Sequence, residues 1–234
     1  MISMKHYATV GFCVAGVLAL AGDATAQNPL QDKVTAAKIS AAENQQALRS
    51  YTWMQQTEVS YKGEAKKSTV DTCQYGPDGT VQKVQLSTTP PPEKKRGLRG
   101  RIVENKTEEM TAEVKSAVAL IHSYVPPSPD RMQAAHAANN ISLTTAGPGM
   151  VALVIKNYLK PGDSMTLTFE SQVKKLQQVA VNTYLDDPSK PVTLQVNMQT
   201  LPGGPSYPAV EVLSLPSSNL SIQVQNSNYQ KLNQ

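Results

Sequence analysis

Val192-Thr193-Leu194-Gln195-Val196-Asn197-Met198-Gln199 decides the architecture, because apolar and polar or small residues alternate through it without a break. A period of two marks a strand with one face on an apolar core and the other in water, since successive side chains leave a pleated strand on opposite sides. Downstream, the Pro202-Gly203-Gly204 turn leads into an apolar segment from Tyr207 to Leu213, and Leu220, Ile222 and Val224 then alternate with Ser221, Gln223 and Gln225. Upstream, the Asp186-Asp187-Pro188 turn separates this strand from Leu176, Val179 and Val181. Pro161-Gly162-Asp163 separates the apolar, β-branched run Met150 to Tyr158 from Met165 to Glu170. From Ile141 onward the signals are almost all β, and they give about six strands spaced roughly 10 to 15 residues apart.

The same period governs an earlier stretch. Tyr51, Trp53, Gln55, Thr57, Val59 and Tyr61 alternate with Thr52, Gln56, Glu58 and Ser60, and the run ends at Lys62-Gly63. Thr69 to Tyr75 forms a second strand, Gly76-Pro77-Asp78-Gly79 a turn, and Val81 to Ser87 a third strand, so the three read as an antiparallel meander. Elsewhere the period is 3.6. Gln31 to Arg49 contains no glycine or proline and sets Val34, Ala37, Ala41 and Leu48 roughly on one stripe, with Pro29 placed as a first-turn proline. Asn105 with Glu108 three residues later reads as a capping pair ahead of Met110, Val114, Ala117, Val118 and Ile121. Val125-Pro126-Pro127 stops that helix, and Ser128-Pro129-Asp130 starts a short one that ends at Asn139-Asn140. Helix, three strands, helices and then a run of strands give an α+β fold: a long, curved antiparallel sheet with helices packed on its concave face.

The N-terminal residues carry a different message. Lys5 precedes an apolar run from Ala8 to Gly22, and Ala24-Thr25-Ala26 follows, small residues at the spacing a signal peptidase requires. A spanning helix needs about 20 apolar residues; this run is shorter and ends at Asp23, so residues 1–26 read as a cleavable signal peptide and 27–234 as one domain. Cys13 lies in the middle of the apolar run and does not fit a lipid-anchor site. Cys73 is the one remaining cysteine, which rules out an internal disulfide in the mature chain and fits a small buried residue on a strand. The net charge of +4 is mild, and much of it lies in Glu93-Lys94-Lys95-Arg96-Gly97-Leu98-Arg99-Gly100-Arg101, after Pro90-Pro91-Pro92. A basic run beside a proline triplet reads as a solvated loop, and without interleaved aromatics it gives no reason to expect nucleic acid.

No sequence pattern specifies catalysis. The chain has no G-x-S-x-G elbow, P-loop, G-x-G-x-x-G or C-x-x-C. His122 and His136 have no metal-ligand partners at helical spacing, and Asp186-Asp187 before Pro188 belongs to a turn. No catalytic residue, metal or cofactor is therefore expected, and the chain is read as a non-enzyme. Two readings of the Tyr51, Trp53, Val59 and Tyr61 face stand side by side: ordinary core packing under a helix, or the wall of an apolar cavity. Met110, Met150, Met165 and Met198 are adaptable enough for either. The candidate ligand-contacting residues are Trp53, Val59, Tyr61 and Met165.

The layout resembles the periplasmic lipoprotein-carrier (LolA-like) superfamily and its exported relatives of unknown role. The resembling elements are the first helix running into Leu48-Arg49-Ser50-Tyr51-Thr52-Trp53, the meander with Gly76-Pro77-Asp78-Gly79, the central helices, and the closing hairpins through Ser206-Tyr207-Pro208 to Asn228-Tyr229. The resemblance implies a half-open β-barrel with a helical lid and an apolar interior able to take acyl chains. It implies an exported, periplasmic envelope protein that binds a lipid, a lipoprotein or another apolar ligand, with no integral membrane segment after cleavage. The alternative is an envelope scaffold or sensor with a packed core that acts through a protein partner.

Overall fold

The computed structural model describes residues 42–88, 98–173 and 175–232. The expected signal peptide (1–26), residues 31–41 of the first predicted helix and residues 93–97 of the basic segment lie outside the described residues.

Helix α1 (42–48) leads into strands β1 (Tyr51–Tyr61), β2 (Glu64–Tyr75) and β3 (Val81–Thr88). Helices α2 (Leu98–Ile121) and α3 (Pro129–Ala137) follow, and then β4 (Ile141–Gly147), β5 (Met150–Lys156), β6 (Ser164–Glu170), β7 (Lys175–Tyr184), β8 (Pro191–Thr200), β9 (Ser206–Leu215) and β10 (Leu220–Lys231). The strands form one curved, unclosed antiparallel sheet in the order β3-β2-β1-β10-β9-β8-β7-β6-β5-β4. Two meanders are thus fused where the first strand pairs with the last, Tyr61 opposite Leu220 and Thr57 opposite Val224. The β1–β2 hairpin turns on Lys62 and Gly63, both at positive φ (55° and 76°). Two such residues in succession make the turn whose twist matches that of the flanking strands.

Three details correct the sequence reading. Helix α2 starts at Leu98, not at Asn105, so residues 98–101 of the basic segment are helical instead of loop. A cap is a local preference worth about 1 kcal/mol, and the Asn105–Glu108 pair does not outweigh the continuous helix-compatible sequence ahead of it; Gly100 costs only about 1 kcal/mol there. Seven strands, not six, follow residue 141, because Ile141–Gly147 forms the edge strand β4. Its middle residues are exposed, so no buried stripe reveals it in the sequence. Strand β5 ends at Lys156, short of Tyr158, because Asn157 turns left-handed (φ 50°).

The core lies on one face of the sheet. One cross-strand row runs Ile155, Met165, Val181, Leu194, Leu213, Ile222, Val59, each opposite the next on the neighbouring strand. Val114, Ala117 and Ile121 of α2 and Met132 and Ala135 of α3 pack into the same cluster. The helices are fastened through Asp163, a buried carboxylate that accepts hydrogen bonds from the backbone N–H of Tyr158 (2.6 Å), Leu159 (3.0 Å) and Lys160 (2.8 Å) and from the hydroxyl of Tyr124 (2.6 Å). Tyr124 also meets Thr183 Oγ1 on β7 at 2.7 Å, and Tyr158 Oη accepts from the N–H of Ser128 at 2.6 Å. These two tyrosines latch the connection between α2 and α3 onto the sheet. No helix among the described residues is long and apolar enough to cross a membrane.

Candidate functional site

The row next to the one just described runs Leu153, Leu167, Val179, Val196, Glu211, Val224, Thr57. Glu211 stands where the pattern calls for an apolar residue, between Val196 and Val224, and is 2 % exposed. Neither of its carboxyl oxygens has a hydrogen-bond partner among the described residues. Burial raises its pKa well above the usual carboxylate value, because an isolated charge is costly away from water. The charge of Lys83 and a contact from the Asn226 amide oppose that rise; the Asn226 contact does not reach hydrogen-bond geometry, and both groups have partners of their own. Lys83 Nζ donates to Gln55 Oε1, Gln55 Nε2 donates to Asn226 Oδ1 at 2.9 Å, and Asn226 Nδ2 donates to the carbonyl of Pro208 at 2.8 Å. A polar chain therefore crosses from β3 through β1 and β10 to β9 beside the unpaired carboxyl.

Sequence irregularities put these groups on one face. Ala209 is an extra residue in β9, where the register jumps between Asn197–Val210 and Met198–Pro208. A second jump lies in β10 between the pairs Thr52–Gln230 and Met54–Ser227, with Asn228 at φ 54°. In β9 the buried positions keep their alternation through Ala209, whereas the β10 bulge shifts the inward parity beyond it. Asn226 and Tyr229, three residues apart, can thus both serve the inner face. Tyr229 stacks on Trp53 (ring centres 5.5 Å apart, planes 9° apart), lies 4.3 Å from the ring of Tyr207, and meets Tyr51 edge-on; Tyr75 packs against Trp53 at 5.3 Å. Helix α1 reaches this cluster through Leu48, which packs with Tyr207 and Ala209. Asn44 fixes the helix there: its Oδ1 accepts from the N–H of Ser206 at 2.7 Å and its Nδ2 donates to the same residue's carbonyl at 2.8 Å.

Burial pushes the acidic groups of the cluster toward their protonated forms. Cys73, paired with Trp53 and Lys83 on the adjoining strands, is fully buried, and burial pushes its thiol up to about 11. It is a thiol at neutral pH and lacks the thiolate needed for nucleophilic attack. Burial likewise raises the phenol of Tyr229, helped by the nearby Tyr75, Tyr207, Glu211 and Cys73. Trp53 Nε1 and Arg49 Nε are also buried without a partner among the described residues.

The four residues singled out from sequence divide between two places. Trp53 belongs to the aromatic cluster, whereas Met165 is fully buried in the main core, with Val59 and Tyr61 partly buried against it. Val59 and Met165 share a row but sit at separate points along it, with Ile222, Leu213, Leu194 and Val181 between them. Glu211 and Asn226 were not singled out by sequence. The signal for Glu211 is parity with Leu213, masked because Val210 and Val212 offer an apolar alternative for the inner face. His122 and His136 are exposed, and Asp186 and Asp187 lie in an exposed turn where Asp187 Oδ1 accepts from the Ser189 N–H at 2.8 Å. Among the described residues no group of three or more His, Cys, Asp or Glu side chains is placed to hold a metal.

No family model matches the chain, and no curated protein does. Among solved structures it is similar to a DUF1329 family protein from Desulfovibrio piger, at 7% identity and a TM-score of 0.34, over 81% of this chain and 88% of that one. It is also similar to a LolA superfamily protein from Nitrosomonas europaea, at 9% identity and a TM-score of 0.30, over 82% of this chain and 91% of that one.

Proposed function

We propose that this is an exported, periplasmic envelope protein that binds an apolar ligand, an acyl chain of a lipid or lipoprotein, between its sheet and its helices, and that it performs no chemistry on that ligand. The observation that carries the reading is the continuous apolar row from Ile155 to Val59, which crosses seven strands under α2 and α3 with no polar interruption. Burying an acyl chain against such a surface yields about 0.8 kcal/mol per CH₂ group, so affinity requires few polar contacts. Met165 and Met198 lie in the same core, and unbranched thioether side chains adjust to chains of differing shape. The protonated thiol of Cys73 and the raised phenol of Tyr229 suit binding better than catalysis.

The test is native mass spectrometry of the protein purified from its own envelope, followed by lipid extraction. A co-purifying acyl species released on unfolding is the expected result. A clean apo mass, with no uptake of a fluorescent fatty-acid probe, overturns the reading. One feature favours a second function, an envelope scaffold or sensor: the terminal strand β3 carries Val84 and Leu86 exposed to solvent. That role expects a photo-crosslinker at position 86 to trap one defined envelope protein, in preparations that contain no lipid.

A further inference from the structure

We infer that Glu211 is the hydrogen-bond anchor for the polar end of the bound molecule, and that the group it holds is an uncharged carbonyl, the ester or amide that joins an acyl chain to its headgroup. The inference rests on the apolar-ligand reading above and specifies what that ligand carries.

A carboxyl 2 % exposed in a row of valines and leucines, with neither oxygen paired among the described residues, is a costly arrangement. An unpartnered buried polar group destabilises by about 1–3 kcal/mol, and replacing Glu211 by Leu would complete the apolar row. The polar groups that approach it are committed to other partners. Lys83 is held by Gln55, and Gln55 and Asn226 are joined to each other and to Pro208. This chain of side chains fixes the surroundings of the carboxyl while leaving its own hydrogen-bonding capacity unspent. A second unspent donor, Trp53 Nε1, belongs to a ring stacked on Tyr229, whose phenol lies near Glu211.

The charge state selects the ligand chemistry. Burial among valines and leucines favours the neutral form of this carboxyl, and that form offers one O–H donor and one carbonyl acceptor. An ester or amide carbonyl accepts from that O–H without bringing a charge into the apolar row. A fatty-acid anion would have to be desolvated there, with the neighbouring cation Lys83 already engaged by Gln55. An alkylammonium would require Glu211 to ionise.

The experiment compares delipidated full-length protein with a series that shares one oleoyl-length chain: glycerol monooleate, oleamide, oleate, oleylammonium and octadecene. Binding is measured by displacement of a fluorescent acyl probe from the wild type, Glu211→Gln and Glu211→Met. The ester and the amide are expected to bind about tenfold tighter than octadecene. Glu211→Gln, which keeps a donor and an acceptor, retains that preference; Glu211→Met removes it and leaves octadecene unchanged. If Glu211→Met does not fold, Trp53→Phe, which removes only the indole N–H from an aromatic position, takes its place and is expected to narrow the preference about threefold. Equal binding of ester and hydrocarbon, an unchanged preference in Glu211→Met, or tighter binding of oleate or oleylammonium overturns the anchor while leaving the apolar site intact. If the probe and the whole series, octadecene included, fail to bind, the apolar-ligand reading and the anchor fall together.

Discussion

Glu211 occupies a strand position whose cross-strand neighbours are Val196 on one side and Val224 on the other. Its side chain is almost completely shielded from solvent, at 2 % exposure. The titratable groups that face it are Lys83, which favours the ionised form, and the phenol of Tyr229, with Tyr75, Tyr207 and Cys73 grouped around that phenol. Burial outweighs Lys83, so the pKa of the folded state lies well above the usual carboxylate value. For an acid raised in this way the folded state holds more protons than the unfolded chain between the two pKa values, and stability falls as pH rises through that interval. The contribution is fully present below about pH 4.5 and is lost as pH climbs through the folded value. Thermal melts from about pH 5 to about pH 8 are therefore expected to fall in the wild type and to flatten in Glu211→Gln, which has no proton to lose. Glu211→Met is expected to melt above the wild type at the alkaline end. Parallel pH profiles for the wild type and Glu211→Gln show that Glu211 titrates normally and is not desolvated.

Elements, more than single contacts, decide what can be read in the sequence. Strand β8, and β10 as far as Asn226, carry their polarity in alternation, so their existence and the inner face of those stretches follow from the residues alone. The same alternation misleads where a bulge intervenes. Tyr229 reaches the inner face only because the extra residue at Asn228 resets the parity of β10, and no periodic signal announces that residue. Strand β4 escapes notice for the opposite reason, since an edge strand with exposed flanks needs no apolar face. The Pro161-Gly162-Asp163 turn was visible as a turn, but the role of its aspartate was not. A carboxylate that gathers three backbone N–H groups and the Tyr124 hydroxyl acts through atoms that carry no sequence identity. Asp163→Ala would leave those donors buried and unpaired, and the loss is expected to reach about 3 kcal/mol or more. In urea unfolding, the expected result is a markedly lower midpoint with little change in slope. A midpoint within about 0.5 kcal/mol of the wild type means that the latch between the α2–α3 connection and the sheet contributes nothing to stability.

Across the whole molecule, pairing of β1 with β10 joins both meanders into one sheet and removes the edges that two separate sheets would have exposed. Two ends remain, β3 and β4, because the sheet does not close. Sheet edges are templates for another strand unless charge, proline or a bulge blunts them. Strand β4 is short, has a register shift between Thr145 and Gly147, and exposes one large apolar side chain, Leu143, among Ser142, Thr144 and Thr145. Strand β3 has a register shift at Leu86, between the pairs Asp71–Gln85 and Val70–Ser87, yet it exposes two apolar side chains: Val84 is 67% exposed and Leu86 57%, on the face opposite to that of Lys83. Their outward β-branched and branched apolar surface, on a terminal strand, favours pairing with a second extended segment, and at high concentration the nearest such segment is β3 of another copy. Sedimentation velocity at about 100 µM is expected to show concentration-dependent self-association that falls away in Val84→Lys/Leu86→Lys, because two like charges on each strand oppose antiparallel pairing. The double variant changes exposed positions only, so its melting temperature should stay within about 2 °C of the wild type. A wild type that sediments as a monomer over the whole range shows that the β3 edge does not template pairing despite its two apolar residues.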